Sequence, residues 1–331
     1  MERFALAAAV VLGFALTAAL CSLFVPLRRV LERREQQQQP VQSEQPRPAP
    51  LRAPLWGGLC AAAGTVAAVG VGWLAACVGQ PELLGSEGRL MTRLLTALAG
   101  SLAFGAVGLA EDVARMRSPA ALGLRRDVRL LLEALAAAFV LLLLQAAGCL
   151  PRGLDVPGAG YVLLGSAVPF LWAVLMVALA ECARIAERDE GTVCGAAFVA
   201  MLALMMAEDG LGVPGLAVLP AALAGALVAL LLWAFPPARL GVGCCGSLLA
   251  AGAIGCIPLS LDMTSLTVPL ALPFWAAGGL LAAQLLCAKR TGKPLRCWVK
   301  KHKMSPETVF LCSFALSAVG YVLALALLRW C

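Results

Sequence analysis

The segment Glu181-Cys-Ala-Arg184-Ile-Ala-Glu187-Arg188-Asp189-Glu190-Gly191 gathers seven ionisable side chains directly after the apolar run Phe170 to Ala180. Carboxylates in such a cluster can ligate a hard cation through oxygen. Guanidinium groups can clamp a phosphate with paired N–H donors. The alternative is a solvated loop in which Arg184 pairs with Glu181 or Glu187 at helical spacing. A second acidic pair, Glu111-Asp112, closes another apolar run and carries the same ambiguity, because Arg115 stands where it could satisfy both carboxylates as a helix-end charge pair.

The elements that must position these groups follow from composition. The 331 residues are 61% hydrophobic, and apolar runs of membrane-crossing length recur along the chain. Ten spans are expected at about 3–25, 56–78, 91–110, 129–149, 160–180, 192–208, 214–235, 246–262, 268–287 and 308–329. The first could pass for a signal peptide, but its length and the charges that follow it favour a helix that is kept. The expected fold is an all-α polytopic membrane protein, one transmembrane domain over residues 1–331. Within it, residues 27–54, rich in Gln and Pro, read as a flexible loop.

Basic residues give the orientation. Loops 27–54, 111–128, 181–191, 236–245 and 288–307, with Arg129 at a helix edge, carry 21 of the 26 Lys and Arg residues. Positively charged loops stay cytoplasmic, so these five loops are expected inside and both termini outside. Topology and attraction to anionic lipid account for the net charge of +7, and no nucleic-acid partner is expected. Most of the thirteen cysteines lie in or beside apolar spans, where a thiol packs as a small hydrophobe. With a single His in the chain, the cysteines do not read as a zinc site. A transporter reading finds little charge in the middle of the spans to support it.

The basic loops carry a set of motif frames in a recognisable order. The first loop ends in Ala53-Pro-Leu-Trp-Gly57-Gly58-Leu59, and the third span ends in Phe104-Gly105-Ala-Val-Gly108-Leu-Ala-Glu111-Asp112. Leu122-Gly123-Leu124 and Arg129-Leu-Leu-Leu-Glu133 follow, then the charged cluster, then Gly243-Cys244-Cys245-Gly246-Ser247-Leu248 and Met304-Ser305-Pro306. These frames resemble the phospho-N-acetylmuramoyl-pentapeptide translocase group within the polyprenyl-phosphate N-acetylhexosamine-1-phosphate transferases. The matching family patterns are Thr-Pro-Thr-Met-Gly-Gly-Leu, Phe-Gly-x-x-Gly-x-x-Asp-Asp, Leu-Gly-Leu, Lys-Leu-Leu-Leu-Gln, Asn-Ala-x-Asn-x-x-Asp-Gly-x-Asp-Gly and Gly-Asp-x-Gly-Ser-Leu.

The frames are kept while the chemistry changes. Glu181 and Arg184 stand at the two Asn positions of the resembled pattern, Glu187 and Glu190 at its two Asp positions, and Arg188 at a Gly; Gly191 is unchanged. Cys244 stands where the resemblance implies a magnesium-liganding Asp, and Arg296 and Cys297 stand about where it implies histidines. The resemblance implies transfer of a sugar phosphate from a uridine-diphospho-sugar to undecaprenyl phosphate or a related polyprenyl phosphate. It also implies a magnesium ion, a bacterial inner-membrane location in cell-wall lipid-intermediate synthesis, and a homodimer or other envelope-synthesis proteins as partners. The implied catalytic groups are Asp112, Glu111, Glu187 and Glu190, with Glu187 and Glu190 as the metal ligands. Arg129, Glu181, Arg184, Arg188, Gly191 and Arg296 would line the substrate site. Two readings follow. In one, the chain is a diverged relative with weak or lost transfer and a residual site for lipid phosphate or nucleotide sugar. In the other, it is an active magnesium-dependent transferase with a rebuilt carboxylate site, and without activity no cofactor is needed.

Overall fold

The structure, a computed structural model, describes residues 2–38, 56–79, 88–117, 123–151, 153–156, 160–163, 165, 167–187, 191–211, 215–236, 238–291 and 306–330. Each expected apolar run corresponds to a helix: α1 (Glu2–Gln38), α2 (Gly57–Gly79), α3 (Gly88–Arg117), α4 (Arg126–Ala146), α5 (Ala167–Ala186), α6 (Thr192–Gly210), α7 (Val218–Ala234), α8 (Gly243–Ser260), α9 (Leu272–Thr291) and α10 (Pro306–Trp330). Apolar lipid leaves helices as the economical way to satisfy backbone polar groups, which is why the apolar runs fold this way.

Six of these helices, α1, α2, α3, α5, α8 and α10, are long and apolar enough to cross a membrane, which makes the chain a multi-pass membrane protein. A seventh span arises if the short helical segment Thr264–Leu270 and the first part of α9 count together, although they meet at a 64° bend. The apolar portions of α6 and α7 are shorter, and α4 carries Arg126, Asp127, Arg129 and Glu133 in its opening turns.

The expected helix bounds are corrected at two places. The run expected as a helix from residue 160 opens instead with a strand, β2 (Gly160–Leu163), antiparallel to β1 (Gly153–Val156), and the helix starts only at Ala167. The described fold is therefore helical with one small hairpin. In sequence, Gly153, Pro157, Gly158 and Gly160 are the turn signals that adjoin this apolar run. Finally, α1 continues through Gln38, into the stretch read as flexible from residue 27, because its Glu, Arg and Gln residues are good helix formers. Residues 39–55 lie outside the described set.

The core is α8, buried along its whole length from Gly243 to Ser260. Small residues let its neighbours approach closely, the usual way helices associate in lipid, where burial of apolar surface gives no drive. α3 runs antiparallel to it. A Cβ on Gly108 would collide with the Cys244 carbonyl oxygen, one on Gly105 would lie 3.3 Å from Leu249, and one on Gly252 would stand 3.0 Å from Phe104 and Ser101. On another side, a Cβ on Gly58 of α2 would strike the Gly246 backbone nitrogen. The Trp172 indole of α5 donates to the Gly255 carbonyl at 3.4 Å.

The helix ends that flank the basic loops meet at one end of the bundle. Gly57 and Gly58 donate their N–H groups to the Gly241 and Val242 carbonyls at 3.2 and 2.9 Å. Phe310, at the start of α10, packs edge-on against Phe235 with ring centroids 5.4 Å apart. The charged ends of α3, α4 and α5 converge on the same region.

Replacing Gly108 with Ala sets a methyl against backbone that cannot yield, so Gly108→Ala is expected to cost about 1–3 kcal/mol. Thermal unfolding of the detergent-purified protein checks this. Gly70→Ala, where an added Cβ meets nothing within 4 Å, should leave the transition unchanged or raise it slightly. Equal shifts for the two variants would show that the α3–α8 approach does not depend on the missing side chain.

Candidate functional site

The site begins with the first turn of α8. The opening N–H groups of a helix have no partner within it, and they carry the positive end of its dipole. Gly243 turns the chain into α8 with φ +72°, a conformation glycine adopts without strain. The Cys244 and Cys245 N–H groups then point at Asp112 on α3, donating to Oδ1 at 3.0 Å and to Oδ2 at 2.9 Å. Asp112 is 1% exposed, so both of its oxygens are spent on a capping role across the α3–α8 contact.

Arg115, one turn further along α3, is shared among three carboxylates. Its Nη2 donates to Glu111 Oε1 at 2.8 Å, while Nη1 lies 3.9 Å from Asp112 Oδ1 and 3.7 Å from Glu187 Oε2. The Cys244 thiol donates to Glu187 Oε2 at 3.5 Å, which places the cysteine against a carboxylate.

The second half of the site is centred on Glu181 of α5. Arg129 of α4 donates Nε to Glu181 Oε1 at 2.7 Å, and Arg184 donates Nη2 to Glu181 Oε2 at 2.5 Å. Arg129 also lies 3.8 Å from Glu111 Oε1 and 4.0 Å from Glu133 Oε1, which joins the two halves. Four buried polar atoms of this cluster keep no hydrogen-bond partner among the described residues: Glu111 Oε2, both carboxyl oxygens of Glu133, and Arg184 Nε.

Gly191 occupies a different position. With φ +75° and an added Cβ 3.0 Å from the Ala234 carbonyl oxygen, it makes the tight turn into α6 against the end of α7. The site residues expected from sequence thus divide into three groups. Glu111, Asp112, Arg129, Glu181, Arg184 and Glu187 come together in one cluster with Cys244. Gly191 shapes the loop. Arg188, Glu190 and Arg296 lie outside the described residues.

Both expected pairings occur, Arg184 with Glu181 and Arg115 with the Glu111-Asp112 pair. Two members were missed as site residues: Arg115, which proves to be the link between carboxylates, and Glu133, buried beside Arg129. The i,i+4 spacings Glu111/Arg115 and Arg129/Glu133 were the available signal. The Cys244 and Cys245 backbone donors carry no sequence signal.

The resemblance implies magnesium, which takes near-octahedral oxygen ligation at short distance. The described donors do not suit it. Asp112 has both oxygens on backbone N–H groups, Glu181 has both on guanidinium, and a thiol replaces the oxygen ligand implied at position 244. Among the described residues, no three Cys, His, Asp or Glu side chains are grouped to hold a metal.

If Asp112 caps α8, Asp112→Asn should destabilise the protein with no substrate present, since an amide can accept from one of the two N–H groups but sets its own donor against the other. A loss of about 1–2 kcal/mol, typical for a removed cap, is expected in thermal unfolding. An unchanged transition would mean that the two hydrogen bonds contribute nothing to holding α3 on α8.

Comparison with known proteins agrees with the loop frames. The profile of Glycosyl transferase family 4 matches residues 94–262, from α3 through α8 and so across the whole of the described cluster. The phospho-N-acetylmuramoyl-pentapeptide-transferase of Synechococcus sp. (strain RCC307) is 31% identical over 213 residues, 63% of this chain and 55% of that protein. The one from Desulforudis audaxviator (strain MP104C) is 32% identical over 170 residues, 48% of this chain and 50% of the relative. The one from Mycobacterium tuberculosis (strain ATCC 25618 / H37Rv) is 27% identical over 265 residues, 72% of each. The chain thus spans about half the length of the first two relatives. With the profile covering half of the sequence and all of the charged cluster, the chain belongs to glycosyl transferase family 4.

Proposed function

We propose that this chain is a diverged member of the sugar-1-phosphate transferase group with weak or lost transfer activity, which keeps a binding role toward a lipid phosphate or nucleotide sugar in cell-wall lipid-intermediate synthesis. One observation carries the reading: the carboxylates on the family's motif frames are engaged by the protein's own donors. Asp112 caps a helix, Glu181 is held by two arginines, and Glu111 and Glu187 share Arg115. Freeing any of them for a cation means breaking a partly buried ion pair or exposing helix N–H groups, and either is costly.

The proposed setting is ten spans, with the converging helix ends on the cytoplasmic face of a bacterial inner membrane and both termini outside. The placement of the basic residues supports that orientation, and the convergence of the loop-flanking helix ends supports their sharing one face. Polyprenyl phosphate approaching from the membrane would meet the partly buried Arg184 guanidinium, whose buried Nε keeps no hydrogen-bond partner among the described residues. Uridine-diphospho-sugar, homodimerisation and envelope-synthesis proteins are the other proposed partners.

The test is release of uridine monophosphate by the detergent-purified protein, given undecaprenyl phosphate, uridine-diphospho-muramoyl-pentapeptide and magnesium. Turnover is expected to fall at least roughly 10³-fold below that of an active relative run in parallel. Undecaprenyl phosphate should still bind, with affinity reduced in Arg184→Ala. Turnover that a chelator abolishes, and that Glu187→Gln also abolishes without loss of fold, would overturn this reading and establish a transferase with a rebuilt carboxylate site. Asp112→Ala alone does not decide the matter, because it also removes the α8 cap.

A further inference from the structure

The α1–α2 contact has a regular antiparallel register set by small residues. A Cβ on Gly72 would stand 2.9 Å from the Ala9 Cβ. Two turns on, a Cβ on Gly64 would collide with Thr17 Oγ1. One turn further, the same register sets Cys60 opposite Cys21, and the contact closes with Phe24 stacked on Trp56 at a centroid distance of 5.5 Å. The register brings the two thiols to the same level of the α1–α2 contact. Both are buried, at 0% and 1% exposure, and both are free.

We propose that Cys21 and Cys60 form a reversible dithiol–disulfide site that staples α1 to α2. The helices place the two residues at one level of a glycine-assisted contact, and a disulfide needs opposed Cβ atoms about 3.5–4.5 Å apart. A small hydroperoxide is the oxidant class suited to a buried pair. One cysteine thiolate attacks the O–O bond, giving a sulfenic acid and releasing hydroxide. The second sulfur displaces hydroxide from the sulfenic acid, so that two thiols and one hydrogen peroxide yield one disulfide and two waters. Two equivalents of a small thiol reverse the change and leave as their own disulfide. The location gives the bond a consequence. Cys60 follows Gly57 and Gly58, whose N–H groups hold the Gly241 and Val242 carbonyls just before α8, so a staple at Cys60 bears on the segment that presents Cys244 and Cys245 to Asp112.

The mapping is made on the unaltered full-length chain in detergent. It is treated with hydrogen peroxide, quenched, alkylated with N-ethylmaleimide, digested and read by mass spectrometry. The expected result is one cross-linked peptide pair containing Cys21 and Cys60, with two fewer alkylated thiols per chain, restored by dithiothreitol. Cys60→Ala and Cys21→Ala should each remove that pair. Persistence of both residues as alkylatable thiols, under peroxide that oxidises exposed Cys312, would overturn the proposal. So would a cross-link joining Cys21 or Cys60 to any other cysteine of the chain.

Discussion

The hydrogen bonds from Cys244 and Cys245 to Asp112 fix the geometry of the charged end of this protein. A buried carboxylate is costly unless its oxygens are occupied, and the first N–H groups of a buried helix are costly unless they are accepted. Each group removes the other's penalty, and the helix dipole adds to the attraction. Because α8 is buried along its whole length, the position of its first turn sets where α2, α3 and α5 can lie, and so where Arg115 meets Glu187.

Around that anchor the charges of the described residues are arranged as a chain of ion pairs. Arg115 joins Glu111, Asp112 and Glu187; Arg129 joins Glu111, Glu133 and Glu181; Arg184 closes on Glu181. At a membrane boundary such pairs are screened less than on an exposed surface, so each contributes to register between helices as well as to neutrality. The cluster draws residues from α3, α4 and α5 and the loop after it, which is why a change at one of them is felt by the others.

The fold was legible because apolar length is a strong signal. The ten long helices among the described residues sit on runs visible in the composition. The hairpin at Gly153–Leu163 was not legible, since Tyr161, Val162 and Leu163 continue without a break into the apolar run of α5 and hydrophobicity alone does not separate strand from helix. In the site, the spacings Glu181/Arg184 and Glu111/Arg115 announced their pairs. The role of Asp112 was hidden for a physical reason: its partners are backbone N–H groups more than a hundred residues away, and backbone donors leave no trace in residue type.

The cysteine at position 244 belongs to the same electrostatic arrangement. Its backbone is committed to Asp112 and its thiol faces Glu187. An aspartate there would bring another carboxylate among Glu111, Asp112 and Glu187, with Arg115 already shared by those three. Without a cation, two such charges a few ångströms apart repel by roughly 4 kcal/mol at an effective dielectric of about 20. A neutral side chain at 244 removes that repulsion, fits the tight turn where α3 meets α8, and leaves the guanidiniums enough charge to hold the remaining carboxylates. Cys244, Arg115 and Glu187 therefore form one electrostatic unit, in which positive charge fixed on the protein balances the carboxylates.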